Sequence, residues 1–108
     1  WARDVYKRQI QEGLALDDTA MAHLFDVKRQ AVAQWRTRGI PASRRPAVHD
    51  IAATVDLLTR KLKPGELPLL ASTPVAALHG RTLLEALASD PAGTRHTYEA
   101  AFDLASTA

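Results

Sequence analysis

The stretch that most constrains the fold runs from Asp17 to Pro41, DDTAMAHLFDVKRQAVAQWRTRGIP. Asp17 can accept from the first amides of a helix, and Leu16 and Met21 flank that cap as a hydrophobic staple. Ala20, Met21, Leu24 and Phe25 then recur at helical spacing. Asp26-Val27 makes a turn, and a second helix is expected from Lys28 to about Thr37, with Val32 and Trp35 inward. Ala22 is small where that second helix must cross, Gly39 stops it, and Ile40-Pro41 leads away in extended form. Two short helices joined by a tight turn leave little room for any strand here.

The flanking chain reads the same way. Tyr6, Ile10 and Leu14 lie four apart, so a first helix is expected near residues 3–13, ended by Gly13. Within the opening WARDVYKRQ, the segment RDVYKRQ is similar to the translated remnant of a sequencing-library adapter. The native N-terminus is therefore expected to be missing or overwritten, and no functional weight falls on residues 1–9. Ser43 and Pro46 bracket the start of a longer helix whose Val48, Ile51, Val55, Leu58 and Leu62 form an apolar stripe, widened by Ala52 and Leu57. Lys61 and Lys63 suit its C-terminal end. Pro64-Gly65 breaks it, and Glu66–Pro74 reads as a proline-punctuated connector.

Thr82-Leu-Leu-Glu85 fits a capping box for a short helix over about 82–89, with Leu83, Leu84 and Leu87 apolar. Asp90-Pro91 caps a last helix over about 91–105 whose Tyr98, Phe102 and Ala105 share a face. The expected architecture is all-α with about six helices. Residues 1–63 form a helix-turn-helix part with its long following helix, and residues 64–108 a small helical part for dimerisation or partner binding.

Charge is segregated along the chain. Residues 1–45 hold nine Lys/Arg against five Asp/Glu, whereas residues 46–108 hold five against seven. Between Val27 and His49 lie six cations (Lys28, Arg29, Arg36, Arg38, Arg44, Arg45) and no acid. Such clustering points to an anionic partner for the first half, the bland alternative being a solvated basic surface. No apolar run approaches the length of a membrane span, and no secretory signal or cysteine is present. The expectation is a cytoplasmic, bacterial-type protein with no membrane partner and no cofactor. His23, His49, His79 and His96 show no metal-ligand spacing, no phosphate-binding glycine loop or nucleophile elbow occurs, and no enzyme chemistry is expected.

A helix-turn-helix needs a small residue in its first helix and apolar positions in the turn and along the inner face of the second. Ala22, Val27, Val32 and Trp35 supply that scaffold at the right mutual spacing. The outward face of the second helix then carries Arg29, Gln30, Ala33 and Gln34, at positions where a helix in the major groove reaches base edges. Arginine pairs with guanine bidentately and glutamine with adenine. Lys28, Arg36, Thr37, Arg38, Ser43, Arg44 and Arg45 are candidates for phosphate contacts, which position without specifying. An ordinary two-helix corner is the alternative.

VKRQAVAQWRTRGIP resembles the turn, recognition helix and exit of Xre/Cro-type repressors, with Asp26 where glycine is usual and Lys28 where Ser or Thr commonly caps. The resemblance implies a lambda-repressor-like N-terminal bundle and a DNA-binding transcriptional regulator acting as a homodimer on double-stranded DNA. Ala77-Leu-His-Gly-Arg-Thr-Leu-Leu-Glu85 is similar to the small C-terminal domain of Xre–MbcA–ParS-type antitoxins. That second resemblance implies a RES-type toxin as a partner of the C-terminal part; the alternative is that these residues cap the core or form a dimer interface.

Overall fold

A computed structural model describes residues 5–107, with side chains through Asp103. The described residues form seven α-helices, and the only β pairing among them is an isolated bridge between Val75 and Arg81. They are α1 (Val5–Leu14), α2 (Asp18–Phe25), α3 (Arg29–Arg38), α4 (Arg45–Lys61), α5 (Glu66–Ala71), α6 (Leu83–Ser89) and α7 (Pro91–Thr107). Single 3-10 turns at Ala42–Arg44 and Ala76–Leu78 lead towards α4 and α6. The all-α expectation holds. Residues 3 and 4 of the expected first helix, and the side chain of Ala105, lie outside what is described.

The long helix α4 is the spine. Val48, Ile51, Ala52, Val55 and Leu58 are all buried, so the stripe read from spacing is the core-facing side. Its main neighbours are α1 on one flank and α7 on the other. Thr54 is buried within this face, and its hydroxyl is satisfied by donating to the Asp50 carbonyl one turn back at 2.8 Å. One cluster of buried side chains joins Ile10 and Leu14 of α1 through Ile51, Val55 and Leu58 to Leu67, Ala71, Leu83, Ala86 and Leu87. The core is therefore continuous across the expected boundary at 63/64.

Two expectations are corrected. Gly13 does not end α1, which runs to Leu14 and stops at Ala15 in the left-handed region (φ 55°). Leu16 N–H donating to the Gln11 carbonyl (2.9 Å) closes that end as a Schellman motif. Gly13 instead lets α1 approach α4, because a Cβ there would collide with Val55 Cγ1. The Glu66–Pro74 connector contains a helix, α5, which buries Leu67 and Ala71 one turn apart. Pro68 permits it, since an amide in the first helical turn has no intrahelical acceptor to lose.

The helix starts read from sequence are present where local chemistry marked them. Asp17 Oδ1 accepts from Ala20 N–H at 2.8 Å. Thr82 and Glu85 form a complete capping box, with bonds of 3.1 and 3.0 Å. Asp90 Oδ1 accepts from Gly93 N–H at 3.1 Å at the start of α7.

Candidate nucleic-acid interface

The α2–α3 corner is built by a second Schellman motif. Asp26 adopts the left-handed conformation (φ 53°, ψ 51°), which Asp tolerates better than most residues. Val27 N–H then donates to the Ala22 carbonyl at 2.9 Å and Asp26 N–H to that of His23 at 3.3 Å. Lys28 follows in extended conformation and precedes α3 without a side-chain cap. The four scaffold positions face inward: Ala22, Val32 and Trp35 are buried and Val27 packs half-buried against the core. The Phe25 ring meets Trp35 edge-on at 5.4 Å between centroids, which ties the last residue of α2 to the middle of α3.

With Val32 and Trp35 inward, the opposite side of α3 is exposed. Arg29, Gln30, Ala33 and Gln34 all lie on it. Spacings of one, three and four residues gather these side chains on one helical surface about a turn and a half long. The four residues expected to share a face are brought together.

The seven expected phosphate contacts fall into two sets. Lys28, Arg38 and Ser43 are exposed around the two ends of α3 and its exit. The other four have internal partners. Arg36 Nη2 is 3.6 Å from Asp18 Oδ1 yet remains 60% exposed. Thr37 Oγ1 donates to the Gln34 carbonyl at 3.3 Å, and exposed Arg45 donates through Nε to the Ile40 carbonyl at 3.3 Å. Arg44 differs most: it is half-buried, and its Nη1 donates inward to the Phe25 carbonyl at 2.8 Å.

Asp18 is a residue whose part the sequence reading missed. Gln11 Nε2 donates to its carboxylate at 3.0 Å, and Lys7 Nζ lies 3.8 Å away. The Gln11 bond, helped by Lys7, Arg36 and Arg29, holds the Asp18 carboxyl below its ordinary value against the opposing effect of partial burial. The capping role read from sequence belongs to Asp17 and leaves Asp18 without an assignment. The partners of Asp18 sit on other helices, so no local spacing announced them.

Comparison with known protein families, curated proteins and solved structures finds no match. The site therefore rests on its own geometry.

The segment Ala77–Glu85 is tightly engaged within the fold. His79 and Gly80 both have positive φ (59° and 80°), and Val75 N–H donates to the Arg81 carbonyl at 3.0 Å. Arg81 donates through Nε to the Leu78 carbonyl (3.1 Å) and through Nη1 to Ser89 Oγ (2.8 Å). Thr82 and Glu85 are occupied by the capping box, and hydrogen bonding to the carboxylate from the Thr82 backbone N–H, then from the Thr82 side chain, lowers the Glu85 carboxyl pKa. The four histidines are exposed, and among the described residues no three metal-ligand side chains converge. No described helix is long and apolar enough to cross a membrane.

Proposed function

We propose that this chain is a sequence-specific DNA-binding regulator of Xre type, which presents α3 to the major groove and acts as a homodimer on a two-fold operator. The observation that carries the reading is the division of α3 into two faces. Val32 and Trp35 anchor one in the core, while Arg29, Gln30, Ala33 and Gln34 stand exposed on the other among acid-poor surroundings. Arg29, Gln30 and Gln34 read base edges, and Ala33 leaves the helix room to approach them or meets a thymine methyl. Lys28, Arg36, Arg38 and Arg45 hold phosphates, with Thr37 and Ser43 as neutral donors. An antitoxin role towards a RES-type toxin rests on the resemblance of Ala77–Glu85 alone, and those residues are already used for capping and turn formation.

Paired variants test this reading. Arg29→Ala is expected to weaken binding to the preferred duplex by about 1–3 kcal/mol and relax one base position. Arg36→Ala is expected to weaken all duplexes alike and lower the slope of log affinity against log salt by about one. Identical behaviour of the two variants on preferred and random DNA would remove α3 from the reading role.

A further inference from the structure

The Schellman motif that ends α2 satisfies the carbonyls of Ala22 and His23. The Phe25 carbonyl, on the last residue of α2, is taken by Arg44 Nη1 at 2.8 Å, across a separation of 19 residues. The positive charge there also meets the negative end of the α2 dipole. Phe25 lies just before α3 and Arg44 just after it, so this one bond closes the chain around the whole of α3. Its two anchor points are themselves fixed. The Phe25 ring rests against Trp35, and Arg44 N–H donates to the Pro41 carbonyl at 2.9 Å in the 3-10 turn. The adjoining Ile40 is buried, and its carbonyl receives Arg45 Nε.

We propose that Arg44 is a positioning residue: its guanidinium, docked on the Phe25 carbonyl, sets the angle at which α3 stands to α2, and it does not serve as a phosphate contact. The inference rests on the DNA-binding reading of α3. It separates Arg44 from Arg38 and Arg45, which are exposed on the same basic end. A cation engaged inward releases few counterions from DNA, whereas its loss tilts the helix that carries Arg29, Gln30 and Gln34. Base selection then suffers more than general affinity.

Arg44→Met keeps the aliphatic stem and removes the charge and donors, and Arg38→Gln is the phosphate-type comparison. Affinities are measured across a potassium chloride series on two duplexes, one selected by the wild-type protein and one random. Arg44→Met is expected to bind the selected duplex about tenfold more weakly, with the random duplex changed less than threefold and the salt slope unaltered. Arg38→Gln is expected to lower both alike and reduce the slope by roughly one. Amide hydrogen exchange of the proteins without DNA gives an independent readout. Arg44→Met should speed exchange about tenfold at Asp26 and Val27 while leaving Ile51 and Val55 in α4 unchanged. If Arg44→Met does not fold, Arg44→Lys, which keeps the charge but loses the planar fork, replaces it in both measurements.

Unchanged exchange at Asp26 and Val27 overturns the proposal. So does equal loss on both duplexes with a slope reduced by about one. If the wild-type protein shows no preference for any duplex, the DNA-binding reading fails by itself, and the exchange rates still decide whether Arg44 holds the corner.

Discussion

Helices α3 and α6 are short and both lean on the same core, but they begin in opposite ways. α6 starts with Thr82 and Glu85 bonded reciprocally, so its first amides are satisfied within the fold. α3 starts at Lys28, which has extended geometry and offers no side-chain acceptor. A helix closed by its own cap is locally stable. A helix left open depends on its buried face, here Val32 and Trp35, and its first turn remains accessible. The charges around them differ as well. In the second half two of the five cations meet acids, Arg95 with Asp50 at 3.0 Å and Arg60 with Asp56 at 3.0 Å, while Arg81 is held by the Leu78 carbonyl and Ser89. Around α3, where acids are absent from Val27 to His49, Arg44 and Arg45 turn to backbone carbonyls, and Asp18 on α2 is the acid beside Arg36. Structural self-sufficiency marks one region, and a surface with spare positive charge marks the other.

The largest effect should come from removing the anchor that replaces a cap in α3. Trp35→Ala is expected to cost about 3–5 kcal/mol, read as a lowered urea midpoint. A loss below about 1 kcal/mol would show that α3 does not depend on that buried face. Thr82→Ala tests the capped helix and should cost about 1 kcal/mol by the same measurement. Giving α3 the cap it lacks runs the comparison in reverse. Lys28→Ser is expected to raise stability by about 0.5–1 kcal/mol while weakening binding to all DNA, and no gain in urea midpoint would mean that the open start costs α3 nothing.

The smallest effect concerns acid. The Asp18 carboxyl is held below its ordinary value of 3.8, chiefly by Gln11, so it contributes stability above that pH. The contribution fades as pH falls through the lower folded-state value. Asp18→Asn should therefore show a smaller drop in urea midpoint between pH 7 and pH 3 than the wild-type protein, and an equal drop would contradict the role of this carboxylate.

Much of the fold was legible because its signals are local. Asp17, Asp90 and the Thr82–Glu85 pair mark helix starts within four residues of chain, and the α4 stripe repeats at three and four. The division of α3 into Val32 and Trp35 on one side and Arg29, Gln30 and Gln34 on the other follows from the same periodicity. What escaped depends on contacts distant in sequence. Gly13 looked like a stop, but its reason is Val55 on a neighbouring helix. Pro68 looked like a breaker, but it sits where a helix needs no amide, and burial of Leu67 and Ala71 then decides the outcome. Arg44 looked like one more cation of the basic run. Only the folded chain brings the Phe25 carbonyl to its guanidinium, and only there does Asp18 meet Gln11 and Arg36.

The central claim is that the exposed face of α3 reads DNA sequence. It is tested most directly by selecting binders to the purified wild-type protein from a pool of random duplexes and measuring their affinity at several salt concentrations. Enrichment of a two-fold-symmetric sequence is expected, bound more tightly than random DNA, with affinity falling steeply as salt rises. A pool that stays random after selection, or no binding at low salt, would contradict it.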